Sequence, residues 1–277
     1  MRSEHDKEKL EAELVLEALY RGHGFDFRQY ARSSMLRRLH YIRSKAGLER
    51  LSDLIPRVLH DEAFVRDMLV NISVTVTEMF RDPAFFLELR TKVIPVLKTY
   101  PFVKIWHAGC ATGEEVYSMA ILLQEEGFYD RVQIYATDIN HESLKTASEG
   151  IYPIEAMRKF TANYNSSGGK ASFSDYYYAK YQMAKMNEDL KANIVFSPHN
   201  LVTDQTFGEM NLIICRNVLI YFDRQLQNQV FGLFDQSLVH RGFLCLGSKE
   251  SLELAPQRAD YEDISPRWRI FRKQLKL

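Results

Sequence analysis

The chain has 277 residues, 46 % of them hydrophobic, enough apolar content for one large core or two smaller ones. Its 36 Lys and Arg balance 36 Asp and Glu, so overall charge does not mark it as a nucleic-acid binder. Three cysteines with no Cys-x-x-Cys or Cys/His spacing argue against zinc and a disulfide framework, and no metal is expected. No apolar run reaches membrane-spanning length, the start (Met1 to Lys9) is strongly charged, and no signal-peptide pattern is seen. A cytoplasmic location is expected.

Residues 1 to about 80 read as helices. Lys9 to Tyr20 is apolar at Leu10, Leu14, Leu16 and Leu19, and Gly22 and Gly24 end it. Ser33 or Ser34 can cap a second helix that runs to Ala46 and stops at Gly47. Its Met35, Leu36, Leu39, Ile42 and Ala46 share one face at 3.6 residues per turn, with Arg37, Arg38, Tyr41 and Lys45 opposite. Between Arg28 and Arg50 the cations are Arg28, Arg32, Arg37, Arg38, Arg43, Lys45 and Arg50, against one acid, Glu49. Such a run is either a solvated face or a docking surface steered toward an acidic partner. A third helix is expected over Leu51 to Asn71.

In the stretch from Asn71 to Pro83, polar Thr75, Thr77 and Arg81 alternate with apolar residues, and Asp82-Pro83 opens a helix with proline at its first position. Arg81 in this apolar setting invites a carboxylate that its planar fork can hold, either a local acid or a ligand. The helix through Phe85, Phe86 and Leu89 ends near Tyr100.

Val103 to Ala108 then reads as a buried strand, followed by a small-residue loop and a helix that stops at Gly127. Gly109 and Gly113 bracket the turn, and glycine lets a ligand approach the backbone at Ala108-Gly109 with no Cβ in the way. The next strand, Val132 to Thr137, ends on Asp138, where an acid can accept hydrogen bonds from a ribose diol. The loop is Gly-x-x-x-Gly and not the dinucleotide pattern. Glu114 and Glu115 at the helix start suit the helix dipole but would repel a pyrophosphate. S-adenosylmethionine (SAM), with its ribose, amino acid moiety and cationic sulfur, fits better.

After a helix from Glu142 to Ser148, Asn163 to Lys170 reads as a loop and Met183 to Leu190 as polar. Tyr176 to Phe196 reads as a small antiparallel excursion that covers the sheet or offers an edge to a partner. The doubly wound pattern resumes with strands at Asn193 to Phe196 and Asn211 to Ile214, a helix from Asp223 to about Leu238, and strands at Gly242 to Gly247 and Arg269 to Arg272. Asp138, His199/Asn200 and Arg216/Asn217 are thus polar residues at strand tips, where open parallel sheets bind ligands. His199 reads as an ordinary loop residue rather than a base.

Taken in order, these motifs resemble the chemotaxis receptor methyltransferase family (CheR). The resemblance is carried by the Arg37-Arg38 helix and Thr75-x-Thr77-x-x-Phe80-Arg81-Asp82. It continues with Trp106-x-Ala108-x-Cys110-Ala111-Thr112-Gly113-Glu114-Glu115-x-Tyr117-Ser118, Ala136-Thr137-Asp138-Ile139, His199-Asn200-Leu201 and Cys215-Arg216-Asn217-Val218-x-Ile220-Tyr221-Phe222. Val116 stands where the family usually has proline.

The resemblance implies an α/β class I SAM-dependent methyltransferase: a doubly wound, mostly parallel sheet with a small antiparallel β-subdomain at about 172–196. A helical receptor-docking domain over 1–82 and a linker helix over 83–101 would precede the catalytic domain at 102–277. It implies methylation of glutamate side chains on the cytoplasmic helices of methyl-accepting chemoreceptors, with no nucleic acid partner. Thr75, Thr77, Arg81, Ala108, Gly109, Glu115, Asp138, Asn200, Leu201, Cys215 and Arg216 would contact the cofactor. Arg81 and Tyr221 would lie nearest the transferred methyl, and Arg37, Arg38, Tyr41 and Lys45 would dock the receptor. In some members the β-subdomain grips a receptor C-terminal peptide.

The chemistry agrees, because a glutamate carboxylate is already ionised at neutral pH and needs no strong base to attack a sulfonium methyl. Arg81 or Arg216 could hold either the acceptor carboxylate or the cofactor's own, and Tyr221 could donate a hydrogen bond to the attacking group. A SAM-binding regulatory module and a methyltransferase on another substrate are the other readings.

Overall fold

The structure is a computed structural model and describes residues 4–72 and 77–275. Thr75 lies outside the described residues. Two compact units are present: Met1–Val74 with Leu219–Val230, and Thr75–Val218 with Phe231–Leu277.

In the first unit, helix α1 (Glu4–His23) buries Ala12, Val15, Leu16 and Leu19, and α2 (Arg32–Lys45) buries Met35, Leu39 and Ile42. The start of α2 differs from the expected serine cap. Ala31 is the cap residue, and its carbonyl accepts the Ser34 and Met35 N–H groups at 3.0 Å each. The Ala31 N–H donates to the Tyr221 carbonyl at 2.7 Å. The helix start is therefore held through its main chain, with no side-chain cap.

The single helix expected over Leu51 to Asn71 is three pieces: a 3-10 turn (Leu51–Asp53), α3 (Leu54–His60) and α4 (Glu62–Ile72). Asp61 breaks it. Its backbone is extended (φ −129°, ψ 91°) and its carboxylate accepts the Phe64 N–H at 2.9 Å, so it starts a new helix instead of continuing the old one. The apolar period runs on across the break, and Leu54, Val58, Phe64, Val65, Met68 and Ile72 are all buried. Leu219–Tyr221 forms a 3-10 turn in this unit, tied by a Tyr30–Phe222 bridge and by the Asp223 N–H donating to the Gln29 carbonyl at 2.9 Å.

The second unit opens with α5 (Pro83–Glu88), a π-helical turn (Leu89–Val93) and α6 (Ile94–Leu97). Then come β1 (Val103–Ala108), α7 (Glu114–Glu125), β2 (Val132–Asp138), α8 (His141–Glu149), β3 (Ile151–Pro153) and α9 (Ile154–Ser166). After these are β4 (Tyr177–Lys180), β5 (Met183–Met186), β6 (Ile194–Pro198), β7 (Met210–Cys215), α10 (Arg224–Ser237), β8 (Leu238–Leu246), β9 (Tyr261–Ser265) and β10 (Ile270–Lys273). The boundary between the units falls within α10.

The main sheet has the order β6-β2-β1-β7-β8-β10-β9. Pairs along β6-β2-β1-β7-β8 are parallel, and β10 is antiparallel to both its neighbours. The order reverses at β1, which has β2 on one side and β7 on the other. A crevice for ligands opens at the carboxyl ends of such strands. Val103, Ile105, Trp106, Leu212, Ile213 and Ile214 are all buried, as strands covered on both faces must be.

A separate antiparallel sheet has the order β3-β5-β4. Two local expectations changed here. The loop expected from Asn163 is helical to Ser166, because Tyr164 is fully buried against Phe80 and Phe173 and the Asn163 amide donates to the Met79 carbonyl at 3.0 Å. The polar-looking Met183 to Met186 is a strand, burying Ala184 and Met186 while Met183 and Lys185 face out. The strand at Ile194 joins the main sheet beside Ile134, where the doubly wound pattern was expected to resume, so the small excursion ends before it and not at Phe196.

Candidate active site

The site is built at the tips of β1, β2 and β7. Past Ala108 the chain turns through three positive-φ residues, Gly109 (79°), Ala111 (46°) and Gly113 (91°). The Gly109 and Cys110 N–H groups donate to the Thr137 carbonyl at 2.8 and 2.9 Å, which ties the loop to the end of β2. A Cβ on Gly109 would lie 2.5 Å from Val218 Cγ2, and one on Gly113 would lie 2.8 Å from the Ala147 Cβ. Both glycines thus meet a φ requirement and a space requirement together. Gly109→Ala adds left-handed strain of about 1–2 kcal/mol to this clash. It is expected to weaken binding of S-adenosylhomocysteine (SAH) by about 10-fold by calorimetry. Val218→Ala in the same chain should recover part of the loss; unchanged affinity in the single variant would remove Gly109 from the site.

Asp138, half-buried at the tip of β2, accepts the Ala111 N–H on Oδ2 at 2.8 Å and the Asn140 N–H on Oδ1 at 2.9 Å. Burial pushes its pKa up, and these backbone donors work against that rise. Each oxygen keeps a further lone pair, so the carboxylate can shape the loop and still accept hydroxyl donors.

Glu115, on the first turn of α7, takes Arg216 Nη1 on Oε2 at 2.6 Å, and His107 Nδ1 lies 3.4 Å from its Oε1. Burial alone would raise its pKa. The charge of Arg216, and then the nearby His107 ring, reverse that and hold it at about 2. Arg216 is buried at the end of β7. Its Nη2 donates to Asp82 Oδ2 at 2.6 Å and its guanidinium lies 4.0 Å from the Phe85 ring centre. Glu114, also buried, has a raised pKa from that burial and accepts the Thr112 hydroxyl at 2.7 Å.

Arg81 stands between Phe80 (φ 51°) and Asp82 (φ 58°), two non-glycine residues in left-handed backbone. Phe80 holds this conformation because its ring is fully buried and its N–H donates to Ser118 Oγ at 2.8 Å. Among the described residues the half-buried Arg81 side chain has no hydrogen bond or ion pair. The sequence left two arginines with interchangeable roles, and the geometry separates them.

Of the other expected residues, Thr77 is half-buried and Cys215 is buried at the tip of β7. Asn200 shapes its own turn through Val202 N–H and Asp204, with Leu201 buried beside it. His199 packs edge-on to Trp106 and Phe207, and its Nε2 lies 3.2 Å from the Gln205 carbonyl. Tyr221 belongs to the first unit and is half-buried. In that unit Arg37 and Tyr41 are exposed, Lys45 is ion-paired to Asp67 at 2.8 Å, and Arg38 is half-buried. Arg28 and Arg32 also have acidic partners, Asp26, Glu17 and Glu13. The basic run is therefore less positive in space than in sequence.

Four residues that sequence reasoning did not place in the site are Asp82, His107, Tyr152 and Glu250. Asp82 was read as a helix start and as the end of a family motif, with no role in the site. Tyr152 reaches from β3 to donate to the Thr112 carbonyl at 2.8 Å. Glu250 accepts the N–H groups of Asn217, Val218 and Gly247 at 3.0, 2.9 and 2.5 Å and so fixes the loop after β7. Its only sequence signal is an acid shortly after a strand tip.

The glycine cradle, an acid with spare acceptors at the β2 tip and a carboxylate at the helix start fit SAM, with its ribose and its cationic amino and sulfonium groups. Residues 75–267 match the family model described as the CheR methyltransferase, SAM binding domain, and residues 10–73 match the CheR methyltransferase, all-alpha domain. Cher3 of Pseudomonas putida is 47 % identical over 264 residues, covering 95 % of this chain and 97 % of that one. Chemotaxis protein methyltransferase 1 of Vibrio cholerae is 32 % identical over 238 residues, 82 % of each chain, and the chemotaxis protein methyltransferase of Borreliella burgdorferi is 29 % identical over 267 residues, 89 % and 82 %. The chain belongs to the CheR family of SAM-dependent methyltransferases.

Proposed function

We propose that this protein transfers the methyl group of SAM to glutamate side-chain carboxylates on the cytoplasmic helices of chemoreceptors, and that it works in the cytoplasm. The observation that carries the reading is the division between the two arginines. Arg216 is committed to Glu115 and Asp82, while the Arg81 guanidinium has no partner among the described residues and is held by buried neighbours beside the cofactor loop.

SAM, when bound, supplies an electrophilic methyl on a sulfonium centre. Asp138 accepts from the ribose hydroxyls, the 109–113 loop makes room at the backbone, and Glu115 offers negative charge to the amino group. Thr75, Thr77, Ala108, Gly109, Asn200, Leu201, Cys215 and Arg216 complete the cofactor site. Arg81 receives the acceptor carboxylate. Tyr221 donates a hydrogen bond to that carboxylate, an assignment that rests on its motif alone. The acceptor is already ionised, so the work lies in orientation and exclusion of water.

The receptor docks on α2, where Arg37 and Tyr41 are exposed and Lys45 can exchange Asp67 for a receptor acid. A receptor tail peptide adds to the β4 edge of the small sheet, a reading supported by exposed Tyr178 and Tyr181 (67 % and 85 % accessible). Among the described residues no helix is long and apolar enough to cross a membrane.

The test is incubation with methyl-labelled SAM and receptor-containing membranes, followed by mild base. Label released as methanol is the expected result. Base-stable label would mean another acceptor, and no label with SAM binding intact would mean a binding module.

A further inference from the structure

The Tyr221 turn is held from two points on α2. Its main chain is fixed by the Ala31 N–H, which donates to the Tyr221 carbonyl at 2.7 Å. Its ring lies under the Arg38 guanidinium, 5.4 Å from guanidinium carbon to ring centre. Ala31 and Arg38 are seven residues apart, two helical turns, so both contacts come from one side of α2. Arg38 is itself held, because its Nη1 donates to the Asn71 carbonyl at 3.1 Å. Asn71 lies in the last turn of α4, where main-chain carbonyls lack helical partners. Burial lowers the Arg38 pKa, as for a cation turned inward rather than presented to solvent. Arg37, the next residue, is exposed.

We propose that Arg38 is not a receptor-docking residue but a positioning residue that sets the Tyr221 ring for methyl transfer. This rests on the reading above in which Tyr221 donates to the acceptor carboxylate. A planar guanidinium suits the task, since its flat face lies over the ring while its edge donates to a carbonyl, an orientation that a compact ammonium on a flexible stem does not fix. The helix that meets the receptor and the turn that carries the hydroxyl then move as one piece.

The test is steady-state methylation of receptor membranes by the wild type, Arg38→Gln, Arg37→Gln, Tyr221→Phe and the Arg38→Gln/Tyr221→Phe double variant. Glutamine keeps a donor for the Asn71 carbonyl and removes the cation, and thermal melting checks that each variant folds. Arg38→Gln is expected to lower kcat by about 5–30-fold with the receptor KM changed less than about 2-fold. Arg37→Gln is expected to raise the receptor KM with kcat kept. The double variant should be no slower than Tyr221→Phe alone, since Arg38 acts through that ring. If Arg38→Gln melts early, Arg38→Lys should still fold and still be slow.

A raised receptor KM with normal kcat in Arg38→Gln, losses that multiply in the double variant, or a Tyr221→Phe enzyme of normal kcat would each overturn the proposal. In all three the wild type would still yield a base-labile ester that releases methanol, so the glutamate reading would survive. Absence of that product from the wild type would instead sink the glutamate reading itself.

Discussion

Arg81→Ala should lower kcat/KM for receptor methylation by about 10²–10³-fold, the scale for removing one preorganised donor from a water-poor site. Arg81 lies in a stretch whose backbone is held in left-handed geometry on both sides, at Phe80 and Asp82. That strain persists because the Phe80 ring sits against Phe86, Tyr164 and Phe173 in the core. The side chain so held has no hydrogen bond or ion pair among the described residues, which suits a group that waits for a ligand. Arg81→Lys should recover little, because an ammonium cannot hold a carboxylate through two parallel bonds. Calorimetry with SAH separates the two carboxylates Arg81 could serve. If affinity falls as much as turnover, Arg81 holds the cofactor's own carboxylate and not the acceptor. If both are near normal, it has no part in the reaction.

Arg216→Met has the larger expected effect on stability. Arg216 bridges Glu115 and Asp82, with its side chain only 2 % accessible and that of Glu115 18 %. Removing one partner of a buried pair leaves the other charge uncompensated, at a cost of roughly 3–5 kcal/mol. For a catalytic domain of this size that lowers Tm by roughly 6–20 °C in scanning calorimetry. Adding Glu115→Gln to Arg216→Met should restore much of the loss, because the orphaned charge goes with it.

The acid dependence has a defined sign. The Glu115 pKa is depressed from 4.5 to about 2 in the folded protein. Its contribution is therefore complete above about pH 4.5 and is lost as pH falls toward 2. In Arg216→Met the neutralising charge is gone and burial favours the protonated acid. The Tm gap between wild type and variant should accordingly narrow between pH 6 and pH 3. A constant gap over that range would mean that the Glu115–Arg216 pair does not carry the effect.

Much of the catalytic unit was legible in the residues. β1, α7 and β2 follow from an apolar run, a glycine-bracketed loop and a second apolar run ending on an acid. These features are local and depend on φ, period and strand ends. Other elements were misread where packing overrules local preference. Asn163 to Ser166 looks like a loop by composition and is helical because Tyr164 needs the core. Met183 to Met186 looks polar and is a strand because Ala184 and Met186 are buried in the small sheet. Leu51 to Asn71 has one apolar period and yet is broken, because the Asp61 carboxylate caps a new helix.

The family, the doubly wound plan and the residues at the strand tips could all be read from the order of the amino acids. The reason is that glycine conformations, hydrophobic periods and motif order are written within short spans of chain. Which arginine is committed and which is not emerges from the folded chain. Arg216 and Glu115 are 101 residues apart, and Arg216 and Asp82 are 134 apart, so their pairing depends on the sheet that brings β7 beside β1. The same holds for the basic run on α2. Residue counting made its cations equivalent, whereas packing paired Lys45 with Asp67, left Arg37 in solvent and turned Arg38 onto Tyr221. Charge is a property of each residue, but its partner is a property of the fold.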